Sequence, residues 1–562
     1  MAPHVTDRES TDIAALALLG KKQVLKRRFS FVTLLGFAIC ELITWETVLA
    51  LFSQAFTNGG PAGNVYGFII AWASTTSVYT VISELASMAP IAGGQYYWVY
   101  MLAPAEYKII SSYVTGWLTT LAWIATVATE TLFGGTIIQG VLVLRYPEYA
   151  EKRWHGTLLT WAVILFCVNM NVFLPHWLPR FNFGVTIFHL CGFVAVLVTL
   201  WVMTPSLKSN EFVWRTSMNE GGWPTQGLSY CVGFLGNVAT FVGADASVHM
   251  AEEVADATTA IPQAILGAML INGLVGFVML VTILYCLGDT DSVLNTKTGF
   301  PFIQIFQNSV RNVDGTTVMT AVVIAVTMAC ANGIATTASR MTWSFARDRG
   351  LPFSPALSRL TLKTKIPWVS VVVVTGIAAL LTLIYIGSET AFNDVVSLTI
   401  TGFYGSYMVP ASLLLYHRIK GHIAPHGSDH DELSSSCSAR DLIHDGRIVK
   451  SPTTSGDSTE EANVVADTRL VWGPWHVPGI WGTLNNLYAC CYMTFVIFWS
   501  VWPPTYKVTA STMNYSVVIT GGVMILSAVY FHVYAKRHYK GPLIDEEIAA
   551  LMRIRSVVPV GS

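Results

Sequence analysis

The chain has 562 residues, of which 53% are hydrophobic and only 12% charged, with a mean hydropathy of +0.51. A soluble protein of this size carries roughly a quarter charged residues, so most of this chain must face lipid. A net charge of −1 and a pI near 6.9 offer no basic face for nucleic acid, and nine scattered cysteines show no metal-ligand or redox spacing.

Residues 1–28 are polar and end in Lys21, Lys22, Lys26, Arg27 and Arg28. The apolar run that follows is a full span with no small-residue cleavage site, so this segment reads as a cytosolic tail and not as a signal peptide. Twelve apolar stretches of spanning length then recur, at about 31–56, 63–88, 110–143, 157–174, 182–204, 227–250, 263–288, 316–338, 367–387, 391–416, 484–503 and 514–535. An even number puts both termini on one side. With the N-terminus cytosolic, 25 of the 33 Lys and Arg residues fall inside, which fixes the orientation. The one long polar stretch, about 418–470, cannot bury a core and reads as a disordered cytosolic linker. Asn514-Tyr515-Ser516 is a glycosylation sequon at the outer end of the twelfth span.

Two spans are flawed in the middle. The sixth carries Gly243 and Asp245, where glycine weakens a helix and a carboxylate is costly to desolvate. The first carries Glu41, Thr44 and Glu46 at the corresponding depth. A membrane helix that unwinds must find partners for its freed amides and carbonyls, and a polar solute in a protein-lined cavity can supply them. A glycine kink that only serves packing is the competing explanation. Two such spans, five apart, are the sequence sign of an inverted-repeat transporter.

Four motifs carry a resemblance. They are Glu84-Leu-Ala-Ser-Met-Ala-Pro90 through Gly93-Gly94-Gln95-Tyr96-Tyr97-Trp98, then Gly243-Ala244-Asp245-Ala-Ser247-Val-His249-Met250-Ala-Glu252-Glu253, then Ser339-Arg340-Met341-Thr342-Trp343 through Gly350-Leu351-Pro352, and Phe392-Asn393 through Ser397, Tyr404 and Pro410. In this order they resemble the amino acid–polyamine–organocation superfamily, most sharply its fungal branch of amino acid, GABA and choline permeases, over roughly residues 30–540. Ala244 departs from that branch's usual aromatic, and Glu41 and Glu46 stand where small or amide residues are common.

The resemblance implies an all-α integral membrane fold of twelve transmembrane helices: a five-plus-five inverted repeat with discontinuous helices 1 and 6, plus two trailing helices. The chain then divides into a tail (1–29), a transport core (30–416), a cytosolic linker (417–480), the last two helices (481–536) and a C-terminal tail (537–562). It also implies that Ile43, Thr44, Trp45, Phe241, Val242, Gly243 and Ala244 meet the solute, mostly through backbone, with half-helix dipoles facing its charges. Asp245 would bind the ammonium or hold the unwound segment. Trp45, Trp123 and Phe241 are candidates to cap an ammonium by cation–π contact.

Glu41, Glu46 and His189 are the ionisable candidates for charge selection or proton coupling. Glu84 is expected to pair with Arg340 or Arg347 as an inner gate. No phosphate-binding loop is present, which argues against ATP-driven transport, and no cofactor or metal is expected. The expected function is uptake of an amino acid, GABA, choline or a related organic cation, coupled to protons, with sodium as the alternative ion. The plasma membrane is the expected site and the vacuolar membrane the alternative. A non-transporting nutrient sensor would bind the same solutes, while the thirteen histidines form no cluster suggesting a membrane enzyme.

Overall fold

Backbone amides in a hydrocarbon layer must be satisfied within their own segment, and each long apolar stretch is accordingly helical. The structure, a computed structural model, describes residue 16 and residues 19–426, 443–444, 447–448, 470–510 and 512–543. The principal helices are α1 (Phe31–Leu42), α2 (Thr44–Ala50), α3 (Phe52–Met88), α4 (Lys108–Arg145), α5 (Arg153–Val172), α6 (Leu178–Met203) and α7 (Gln226–Ala239). They continue with α8 (Ala246–His249), α9 (Ala257–Tyr285), α10 (Val313–Arg347), α11 (Trp368–Leu381), α12 (Glu389–Lys420), α13 (Gly479–Ser500) and α14 (Ser516–Tyr530). Among the described residues, ten helical stretches are long and apolar enough to cross a bilayer. α7 is not one of them because it ends after 14 residues, where the chain unwinds. α13 is long enough but more polar; its Asn485 exchanges hydrogen bonds with Ser77 of α3.

The first span packs inside the protein and the last on its rim. In the most apolar window of Phe31–Ala50, 78% of residues are buried, against 17% for Ser516–His538. α1 packs on α6 and α9, α3 on α7, α9 and α13, and α4 on α5, α10 and α12. The interrupted α1–α2 and α7–α8 pairs are thus enclosed by the long helices.

Three features differ from expectation. α10 runs past 338 to Arg347, because Arg340 and Arg347 meet carboxylates and need no loop to reach water. Asn514 is buried, and its amide nitrogen donates to Ser397, Ser500 and Trp502, so the sequon is closed to a glycan in this fold. Within the expected linker, Ile423–Ala424 pairs in parallel with Leu470–Val471, which clasps its two ends together. Most of that linker, and most of both tails, lies outside the described residues.

Candidate solute site

α1 stops at Leu42 because Ile43 takes φ 26°, ψ 52°. A β-branched residue at positive φ is a true outlier, costing on the order of 1–3 kcal/mol, and persists only where the surroundings fix it. Here they do: the carbonyl of Ile39 accepts from Asn272 Nδ2 at 3.2 Å, and that of Glu41 accepts from Cys330 Sγ at 3.4 Å. Asn272 lies on α9 and Cys330 on α10, so two neighbouring helices supply donors to carbonyls at the break.

The second break opens after Ala239, and Gly243 adopts φ 111°, a conformation that L side chains rarely adopt. Tyr79 of α3 fills the gap. Its hydroxyl donates to the Phe241 carbonyl at 3.1 Å and accepts from the amides of Gly243 and Ala244 at 3.1 and 3.2 Å. One phenol therefore meets three of the polar groups that the unwound turn exposes. The two breaks touch: Thr44 Oγ1 donates to the Thr240 carbonyl at 3.4 Å.

Beside them lies a narrow cavity of about 30 Å³. A water needs at least ~10–15 Å³ on this scale, so an organic solute enters only if helices move. The first span lines it with Glu41, Ile43 and Thr47, and α4 with Thr126, Thr129, Glu130 and Phe133. Val242, Ile334 and Thr399 bring in the second break, α10 and α12. Glu41 is 2% exposed, and neither of its carboxylate oxygens has a hydrogen-bond partner among the described residues. Its carboxylate rests against Gly333 of α10, where any Cβ would overlap it. Thr129 Oγ1 is likewise buried and unpartnered.

The remaining sequence candidates separate. Glu46 does not line this cavity; its Oε1 lies 2.8 Å from His189 Nδ1, both side chains are buried, and Glu46 Oε2 and His189 Nε2 have no partner among the described residues. Trp45 packs against His189 and Phe193, and Phe241 against Phe68. Trp123 donates to His249 Nε2 at 3.0 Å, while His249 Nδ1 faces the Ala92 carbonyl at 2.8 Å. Asp245 accepts from Tyr407 on one oxygen and from Gln95 on the other, at 2.5 and 2.8 Å, so it ties the unwound segment to its neighbours.

At the end of the molecule carrying the N-terminal segment, Glu84 pairs with neither Arg340 nor Arg347. It lies 2.6 Å from Arg418 and accepts from the amide of Val477, because α12 and the clasped segment, not α10, cover the end of α3. Arg340 instead meets Glu253 at 3.0 Å, and Arg347 grips Glu252 through two nitrogens at 2.7 and 3.0 Å. Lys21 reaches Asp348 at 2.5 Å, and Tyr96 and the amide of Leu543 donate to the same carboxylate. Burial draws the Lys21 ammonium below its ordinary pKa, and the Asp348 carboxylate opposes that shift. The backbone of Arg28 and Phe29 hydrogen-bonds to Glu253, joining the start of the first span to the end of the sixth.

Sequence reasoning missed Tyr79, Thr129 and Glu130. Glu130 had a signal, since it is a carboxylate in the interior of the stretch 110–143. Tyr79 had none, because one tyrosine in a membrane helix reads as packing.

A family model described as amino acid permease matches residues 29–524. The chain is 29% identical to a Macrophomina phaseolina protein provisionally named an amino acid/polyamine transporter, over 86% of this chain and 96% of the relative. It is 26% identical to the choline transporter of Saccharomyces cerevisiae, covering 92% and 83%, and 26% identical to the GABA-specific permease of that yeast, covering 94% and 86%. With two broken spans meeting beside an enclosed carboxylate, and a match that runs from the first span into the last, the chain belongs to the amino acid permease family and is a multi-pass membrane transporter, not an enzyme.

Proposed function

We propose that this permease imports a small amine-bearing solute, from the class of amino acids, GABA, choline and related organic cations, by proton symport with alternating access. The observation that carries the reading is the contact between the Ile43 and Gly243 breaks beside Glu41, whose buried carboxylate has no hydrogen-bond partner among the described residues. An ammonium would meet that carboxylate, and the half-helix ends around Ile43, Thr44, Val242 and Gly243 would follow it as the helices rock. The Glu46–His189 pair, set apart from the cavity, is the proposed proton carrier. Twelve crossing helices in a five-plus-five inverted repeat, both termini cytosolic and residence in the plasma membrane complete the proposal. The excess of basic residues on one side of the expected spans supports the orientation. Uptake of labelled solutes into cells lacking their own amine carriers, at two external pH values and with and without sodium, tests it. Accumulation that collapses with a protonophore is the expected result; binding without accumulation would make the protein a sensor.

A further inference from the structure

The cavity at the helix breaks carries two acids and no base. Glu41 and Glu130 both line it, and no lining residue is Lys, Arg or His. Among the described residues, neither carboxylate takes part in an ion pair. Glu41 is buried with both oxygens unpartnered, and Thr129 Oγ1, one residue from Glu130, is buried and unpartnered in the same wall. Acceptors left unmet in one enclosed space call for a guest rich in donors and positive charge.

The lining discriminates among amine classes. A zwitterion would bring its carboxylate into a space already holding two, and the amides of Gly243 and Ala244 that could receive it are taken by Tyr79. A quaternary ammonium donates no hydrogen bonds and is held by aromatic faces. Phe133 is the only ring in this lining, and Trp45, Trp123 and Phe241 pack elsewhere. A primary ammonium on an aliphatic chain fits the rest: N–H donors for two carboxylates and the Thr129 hydroxyl, and methylenes for Ile43, Val242 and Ile334.

Resting on the transport reading above, we infer that the solute is an aliphatic diamine or polyamine bearing no carboxylate, with Glu41 and Glu130 each receiving one of its ammonium groups. Glu130 is then the residue that separates a dication from a monocation. Charge-assisted hydrogen bonds to a desolvated carboxylate are strong enough that removing one shifts affinity by roughly tenfold or more.

The test uses the full chain, in cells lacking endogenous amine carriers and purified in detergent. Labelled 1,4-diaminobutane is offered against unlabelled 1,4-diaminobutane, butylamine, GABA, choline and alanine. The expected order has the diamine competing at least roughly tenfold better than butylamine or GABA. Glu130→Gln is expected to raise the diamine KM by roughly tenfold while moving the butylamine KM less than about threefold, and Glu41→Gln to weaken both. Preferred uptake of GABA, choline or alanine would overturn the inference and leave the transport reading standing. Absence of any accumulation would end the transport reading instead, and the inference would then be decided by whether 1,4-diaminobutane raises the melting temperature of the purified protein more than GABA does. The ranking by the unaltered protein decides the matter even if the Glu130 variant fails to fold.

Discussion

His189 Nδ1 and Glu46 Oε1 lie 2.8 Å apart in the protein interior, joining α6 to the second half of the broken first span. Their outer atoms, His189 Nε2 and Glu46 Oε2, meet no partner among the described residues. A proton arriving at either residue therefore changes the charge of a pair that touches the moving half-helix and not the solute cavity. His189→Gln keeps a polar group of similar size and removes the imidazole. Coupling free energies of about 1–3 kcal/mol correspond to roughly 5–150-fold, so gradient-driven accumulation is expected to fall at least about fivefold. The rise of uptake on external acidification is expected to flatten, with the surface amount of protein unchanged. Uptake by His189→Gln with the pH response of the unaltered protein would remove the pair from the coupling.

Tyr79 governs the other break. Phenylalanine at this position keeps the ring and leaves the amides of Gly243 and Ala244 and the carbonyl of Phe241 without the phenol. Each buried orphan costs about 1–3 kcal/mol unless the segment rearranges. Tyr79→Phe is expected to lower the melting temperature and to raise KM by roughly tenfold, since the unwound turn must be rebuilt for every solute molecule. Thermal unfolding and uptake kinetics identical to those of the unaltered protein would show that the hydroxyl is incidental.

The position of both breaks was legible because the cause is local. Gly243 has the conformational freedom the turn requires, and Glu41, Thr44 and Glu46 make a poor lipid-facing helix. Their mutual contact followed from the resemblance. What could not be read was which side chains face the gap. Trp45 and Trp123 have the chemistry of an ammonium cap, yet their direction depends on Phe193, His189 and His249 from distant helices. The same holds for charges: Glu84 and Arg418 are 334 residues apart, and nothing in their spacing favours that pair over Glu84 and Arg340.

Gly333 tests the seat of Glu41. A methyl group there would overlap the carboxylate and push the buried Glu41 side chain from its seat into the narrow cavity it lines. Overpacking of this kind costs about 1–3 kcal/mol. Gly333→Ala is expected to cut uptake at least roughly tenfold with normal delivery to the membrane. Glu41→Asp, one methylene shorter, is expected to restore part of the loss when combined with it, although it lowers uptake alone. A double variant no better than Gly333→Ala would place the damage in the backbone of α10.

Lys21 and Asp348 form the ion pair that ties the N-terminal segment to the end of α10, at 2.5 Å and with side chains 1% and 0% exposed. Removing one partner of a buried pair leaves an uncompensated charge and costs about 3–5 kcal/mol, more than removing both. In Lys21→Met, Asp348 keeps the donors from Tyr96 and the Leu543 amide but loses the ammonium; in Asp348→Asn, Lys21 loses the carboxylate it touches. Both single variants are expected to lower the melting temperature in detergent. The double variant is expected to recover part of the loss, with a coupling energy of at least about 1 kcal/mol. If the pair also holds this end of the transporter shut, each single variant raises the rate at which a thiol reagent modifies Ser247→Cys from the N-terminal side. Ser247 is fully buried, five and six residues before the paired Glu252 and Glu253, so its labelling from that side reports an opening of this end. Additive losses of stability together with unchanged labelling would make Lys21 and Asp348 independent anchors and not a coupled gate.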